Sequence, residues 1–245
     1  MGLSLSGHGL SGFGSSGELR RRPPDGRGGP HVFVVDLEDP ELTVEDRHHL
    51  ATVLRLRDGD EMTISDGLGR WQPCRFGATI EPCGDPVLVP TPTLEVGVGF
   101  ALIKGDRPEL VVQKLTEMGV DRIVPLTAER SVVRWDAEKA TRQFRRLERV
   151  AREASMQSRR VRLPVVESVA PFGSVADAPG VALAESGGGP VDLARPMLLV
   201  GPEGGWTAGE LSDRPRVGLG PTVLRAETAA MVAGALLTAL RDGGG

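Results

Sequence analysis

The chain has little of several things that commonly carry chemistry. Its two cysteines, Cys74 and Cys83, are too far apart for a CxxC pair, which excludes a disulfide framework and a zinc knuckle and fits a reducing compartment. The four histidines, His8, His31, His48 and His49, include no HExxH pair and have no third ligand nearby, so no metal is expected. No apolar run approaches the roughly 18 residues that span a bilayer, which predicts a soluble, cytoplasmic protein with no membrane partner. No loop ends in the Gly-Lys-Ser/Thr that binds nucleotide phosphates and magnesium, so NTPase chemistry is not expected. Lysine is scarce, three residues against 26 arginines. Lys104 and Lys114 therefore stand out as positions that need a compact ammonium, as a phosphate contact does.

What is present is ample apolar material, 40% of 245 residues, enough for one large domain or two small ones. The net charge of −4 is unevenly placed. Residues 130–162 hold eleven basic and four acidic side chains, net +7, which leaves −11 elsewhere. Because screening acts over about 8 Å, such a segment can hold a polyanion on an acidic protein.

Residues 1–29, rich in Gly, Ser and Pro, have no apolar period and are expected to be disordered. Short strands follow at Val32–Val35, Glu61–Ser65 and Arg75–Ile80, with Asp58-Gly59 and Asp66-Gly67 as turns and one short helix over Glu45–Leu54. This spacing predicts a small β-barrel over residues 30–91, ending in the run Pro82, Pro86, Pro90 and Pro92. From residue 92 to 245 strands alternate with helices. Strands are expected at Leu94–Ile103, Arg122–Leu126, Val181–Ala184, Met197–Val200 and Arg216–Leu219, and helices at Pro108–Met118, Ala137–Gln157 and Glu227–Leu240. The class is α/β with a mostly parallel sheet.

Ligands of such sheets bind beyond the carboxyl ends of strands. Three loops there are glycine-rich: Glu185 to Pro190, Gly201 to Gly205, and Gly220-Pro221. A pocket built from them reads its ligand largely through backbone. A competing glycine pattern, Gly97 and Gly99 in Leu94–Ala101, resembles the first motif of Rossmann-like enzymes but has Ala101 at its third glycine and no helix until about Pro108.

The segments Leu198-Leu199-Val200-Gly201-Pro202-Glu203-Gly204-Gly205-Trp206 and Leu219-Gly220-Pro221-Thr222-Val223-Leu224-Arg225-Ala226-Glu227-Thr228-Ala229 resemble the paired signature of the bacterial 16S ribosomal RNA uridine-N3 methyltransferases, of the SPOUT superfamily. Supporting segments are His49–Arg55 with Gly59-Asp60, Lys104-Gly105 through Lys114 to Val120, and Glu153-Ala154 through Arg160. The resemblance runs from about His31 to Leu240. It departs from the family at His31, where an arginine is usual, and at Trp206, where a smaller aromatic or leucine is common.

The resemblance implies a PUA-like barrel that binds RNA, a trefoil-knotted SPOUT domain that binds S-adenosylmethionine and forms a homodimer, and ribosomal RNA of the small subunit as partner. Cofactor contacts are then expected from Leu183, Ala184 and Glu185, from Val200, Gly201, Pro202, Glu203, Gly204 and Gly205, and from Leu219, Gly220, Leu224, Arg225, Glu227 and Thr228. Methylation at uridine N3 needs negative charge stabilised on the uracil oxygens, a task suited to guanidinium groups. Arg225 and Arg160 are the candidates, with Glu227 or Glu203 to accept the proton. RNA contacts are expected from His31, His49, Arg55, Lys104, Arg145, Arg149, Arg152, Arg159 and Arg160. Methylation of another RNA base, or a non-catalytic role in RNA binding or ribosome assembly, are the alternatives.

Overall fold

The computed structural model describes residues 23–243; the expected disorder of residues 1–22, and the basic run Arg20 to Arg22, lie outside them. Within the segment expected to be disordered, a Cβ at Gly28 would lie 3.2 Å from Thr63 Cγ2, so this residue rests against the first sheet. Gly29 has φ +72°, and a Cβ there would overlap the Glu61 carbonyl. Its own carbonyl accepts a hydrogen bond from Arg159 Nη1.

The first sheet comprises β1 (His31–Phe33), β2 (Glu61–Ser65), β3 (Arg70–Arg75), β4 (Glu81–Pro82) and β5 (Val87–Leu88). Its order is β1-β2-β3-β4, with β5 also on β3, so the ladder is an open five-stranded sheet rather than a closed ring. The β2–β3 turn is set by Asp66, whose Oδ1 accepts the amides of Leu68 and Arg70, and by Gly67 at φ +74°. The strand expected at Arg75–Ile80 lies instead at Arg70–Arg75 and ends where it was expected to begin, because Glu61 pairs with Arg75 and Ser65 with Trp71. Helix α1 (Val44–His48), capped by Thr43, continues as a π turn over His49–Val53.

Seven strands form the second sheet: β6 (Gly97–Ala101), β7 (Arg122–Thr127), β8 (Val165–Val166), β9 (Ala170–Pro171), β10 (Val181–Gly189), β11 (Met197–Val200) and β12 (Arg216–Val217). The order is β12-β10-β11-β6-β7-β8, with β9 on β7, and every pairing is parallel. Helices α2 (Arg107–Glu117), α3 (Ala137–Ser158) and α6 (Ala226–Asp242) cover one face; α4 (Phe172–Ala176) and Trp206 cover the other, and α5 (Ala208–Leu211) follows β11. Gly97 and Gly99 are core positions. A Cβ at Gly99 would lie 2.5 Å from Leu199 Cδ2, so close strand packing accounts for this glycine without a nucleotide.

Helix α3 starts at Asp136, whose side chain accepts the Lys139 amide, and ends at Arg159 in the left-handed region. Leu147, Ala151 and Ala154 face the core. Two arginines expected to touch RNA are occupied within the fold. Arg152 forms a bidentate pair with Asp46, 2.7 and 3.1 Å, and donates to the Phe33 carbonyl. Burial alone would raise the Asp46 carboxyl, but the Arg152 and Thr43 hydrogen bonds outweigh it and hold the group below its usual value. Arg160 donates to the carbonyls of Thr116 and Val120 and pairs with Asp121; burial pushes its guanidinium down to about 10, still charged at neutral pH.

His31, expected as an RNA contact, is buried in the fold, with Nδ1 2.9 Å from Thr63 Oγ1 and Nε2 without a partner among the described residues. Burial, with Arg159 nearby, lowers its pKa to about 4. The folded protein thus prefers neutral His31, while the unfolded chain takes a proton near 6.5. Stability from this group is complete above that value and is lost as pH falls towards 4. Between pH 7 and pH 5 the loss is about 2 kcal/mol, a drop in Tm of about 5 °C. His31→Gln should flatten that portion of a calorimetric Tm–pH curve.

Candidate active site

The loops after β10, β11 and β12 meet in a cavity of about 480 Å³, within the roughly 300–1,000 Å³ usual for small-molecule sites. Ala184, Glu185 and Ser186 form one wall, the turn Val200 to Glu203 with Gly205 and Trp206 another, and Leu219, Gly220 and Thr222 to Arg225 the third. The first turn of α6 closes it through Ala226 and Ala229. These residues reach one place because β10 and β11 are adjacent, parallel and in register from Val181↔Met197 to Ala184↔Val200.

The β11 turn is closed by the Gly205 amide donating to the Pro202 carbonyl, with Gly205 at φ +68°. Trp206 is its anchor. The indole, 4% exposed, donates from Nε1 to the Ala184 carbonyl and packs on Phe172. A Cβ at Gly201 would lie 3.0 Å from that ring, so the glycine keeps the cradle open. Arg130, from the loop after β7, donates from Nη1 to the carbonyls of Gly204 and Trp206 at 3.0 and 3.2 Å. Glu210 accepts the Glu129 and Thr207 amides and braces the same turn.

Most expected cofactor contacts line this cavity, but four do not. Leu183 is fully buried in the sheet core. Gly204 faces Arg130, and a Cβ added to it would lie 3.4 Å from the Arg130 Cβ. Thr228 is on the exposed side of α6. Glu227 does not line the cavity: its carboxylate is 3.6 Å from Arg107, 13% exposed, with Oε2 buried and without a partner among the described residues. The same Arg107 nitrogen lies 3.9 Å from Glu203, which does line the cavity.

Of the two arginines assigned to charge stabilisation, Arg225 is at the cavity and Arg160 is not. Arg225 is the N-cap residue of α6, is exposed, and uses no side-chain hydrogen bond there. Arg160 shares Asp121 with Arg241 in the last turn of α6. At roughly 1.5 Å per residue, that end is about 24 Å from Arg225. Arg160 therefore supports the fold within one chain. Of the expected RNA contacts, His49, Arg55, Lys104, Arg145 and Arg149 are exposed. Arg159 is partly buried and occupied by Gly29.

Sequence reasoning missed Arg130 as a cavity support and Trp206 as its floor. Replacing Arg130 with Ala should weaken binding of the cofactor that the sequence resemblance implies, S-adenosylmethionine, about fivefold in a calorimetric titration, because two turn carbonyls lose their charged donor. Among the described residues, no group of three or more His, Cys, Asp or Glu side chains is placed to hold a metal, and no helix is long and apolar enough to cross a membrane.

Comparison with known proteins agrees with this architecture. An RNA methyltransferase domain family matches residues 90–238, and an RNA methyltransferase PUA domain matches residues 42–77. The chain is 36% identical over 214 residues to Ribosomal RNA small subunit methyltransferase E of Mycobacterium bovis, covering 76% of this chain and 80% of that protein. The Bacillus subtilis protein of the same name is 30% identical over 224 residues, covering 78% and 86%. Among solved structures, a probable rRNA-methyltransferase from Porphyromonas gingivalis matches with TM-score 0.73 and 28% identity over 87% of this chain and 99% of that one. Ribosomal RNA small subunit methyltransferase E from Neisseria gonorrhoeae, bound to S-adenosyl methionine, matches with TM-score 0.69 and 26% identity over 86% and 97%. A parallel sheet ending in a glycine-lined cavity, beside a PUA-like sheet, thus places this chain in the small-subunit ribosomal RNA methyltransferase E family of RNA methyltransferases.

Proposed function

We propose that this protein transfers a methyl group from S-adenosylmethionine to uridine N3 of 16S ribosomal RNA, acting in the cytoplasm as a homodimer. The observation that carries the reading is the cavity at the ends of β10, β11 and β12, with the guanidinium of Arg225, unpaired among the described residues, at its rim. The residues fit the cofactor. Val200, Leu219, Leu224 and Ala226 offer apolar surface for an adenine, backbone groups of the glycine turn lie open, and Glu185 and Glu203 suit cationic ammonium and sulfonium groups.

Bound there, the cofactor supplies a methyl group already activated on sulfonium. The protein's share is orientation and charge. N3 would take the methyl group from the cofactor, which leaves as the thioether, while the N3–H proton would pass to a carboxylate of the cavity such as Glu203. Arg225 donates to the uracil oxygen on which negative charge gathers. Glu203 and Glu227, the two glutamates that suit a proton acceptor, both lie near Arg107, at 3.9 and 3.6 Å, and of them Glu203 lines the cavity. The target base must be unpaired to enter, while Arg145, Arg149, Lys104, His49 and Arg55 hold the surrounding backbone, an attachment that weakens with salt.

The homodimer is supported by Leu110 on α2 with Leu236 and Leu240 on α6, which stay about 40% exposed on two helices packed together. The decisive test is incubation with S-adenosylmethionine and small ribosomal subunits lacking the modification, followed by nucleoside mass analysis. N3-methyluridine is the expected product. A different methylated nucleoside would reassign the target, and none from a cofactor-binding protein would favour an assembly role.

A further inference from the structure

The PUA-like sheet and the methyltransferase sheet meet along the last turns of α3 and the segment after it. Met156 packs against the core of the first sheet. Beyond the helix, Val161 accepts from the Ser65 hydroxyl and the Gly69 amide, the Leu163 amide donates to Gly67, and Leu68 bridges Arg162. These backbone contacts hold only one margin, the β2–β3 hairpin. At the other margin, where β1 and α1 approach α3, Arg152 is the side chain that joins α3 to both elements, with Arg159 on the Gly29 carbonyl beside it.

Arg152 makes three kinds of contact there at once. Its guanidinium takes both oxygens of Asp46 on α1, donates to the Phe33 carbonyl on β1, and lies 5.7 Å from the centroid of the Phe33 ring. Asp46 is 6% exposed, and its Oδ2 also accepts the Thr43 hydroxyl that caps α1. A planar fork, fixed by a buried carboxylate and a carbonyl, sets direction as well as distance. Both RNA-facing surfaces hang on this point. Three residues beyond Asp46 is His49, on the π turn that leads to Arg55; three before Arg152 is Arg149, and Arg145 lies one further turn back on α3.

We propose that Arg152 is a positioning residue for RNA: its pair with Asp46 sets the angle of α1 against α3 so that both exposed basic surfaces engage one RNA whose target base reaches the cavity. The inference rests on the RNA methyltransferase reading. Arg152 touches neither substrate nor cofactor, and its effect is confined to RNA engagement.

The experiment uses the full chain with Arg152→Ala and, as a milder change, Arg152→Lys, which keeps the charge and loses the fork. For each, S-adenosylmethionine affinity is measured by calorimetry, and KM and kcat are measured on small ribosomal subunits. Arg152→Ala should raise the RNA KM about tenfold, a 1.4 kcal/mol effect, and Arg152→Lys less, with cofactor affinity and kcat within about twofold of wild type. An unchanged RNA KM beside an active wild type overturns the inference. So does a parallel loss of cofactor affinity, or failure of both variants to fold, since either makes Arg152 a support of the whole fold. An inactive wild type instead counts against the methyltransferase reading itself.

Discussion

Gly188→Ala should reduce S-adenosylmethionine affinity at least a hundredfold while leaving a folded protein. The three glycines Gly187, Gly188 and Gly189 look equivalent in the sequence but stand in different surroundings. At Gly187 a Cβ meets open space, though φ is +75°, and at Gly189 its nearest neighbour is 3.8 Å away. At Gly188 the Cβ would lie 2.5 to 2.7 Å from the backbone C, Cα and N of Val217, and backbone cannot rotate aside as a side chain can. The register here is already irregular: Val217 faces both Ala184 and Gly189, so residues 185–188 leave the ladder and return. That excursion places Glu185 and Ser186 on the cavity wall. Forcing Val217 outward would pull β12 from β10 and open the wall, a geometric error of the kind that costs two orders of magnitude. Calorimetry on the variant, with circular dichroism to verify folding, is the check. Affinity within tenfold of wild type would show that β12 moves without disturbing the wall.

The contrast among these glycines marks how far the sequence is legible. Where punctuation is local, the elements fall where the pattern puts them. Asp136 and the left-handed Arg159 bracket α3, and Gly119 at φ +90° ends α2. The turns that build the cavity belong to the same class, since runs such as Gly201 to Gly205 have few other uses at a strand end. What fails is the assignment of charge. Arg152 and Arg160 sit in a run of cations that suggests a solvated basic face, but their partners, Asp46 and Asp121, are 106 and 39 residues away. His31 has the same character, its neighbour Thr63 lying 32 positions on. Arg130 supports a turn 74 residues distant. Such pairings exist only after the sheet has formed. A threaded chain likewise leaves no trace in hydrophobic periodicity, so the knot enters only through family likeness.

Replacing Arg225 with Ala should lower kcat on small ribosomal subunits by a factor of about 10² to 10³ and leave S-adenosylmethionine affinity within about threefold. The argument starts from what the side chain does not do. Arg225 caps α6 with extended backbone, φ −65° and ψ 154°, yet contributes no side-chain hydrogen bond to the cap. Its carbonyl accepts the Ala229 amide, and alanine can do the same, so the helix start should survive. Three other arginines have structural partners: Arg107 faces Glu203 and Glu227, Arg130 the turn carbonyls, and Arg160 Asp121. A guanidinium at the rim without such a partner is available to the charge that develops on uracil, and removing one such donor from a transition state costs about 10² to 10³ in rate. Arg225→Lys should recover only part of that rate, because an ammonium keeps the charge but not the fork. A loss of cofactor affinity equal to the loss in kcat would instead make Arg225 a binding contact of the cofactor.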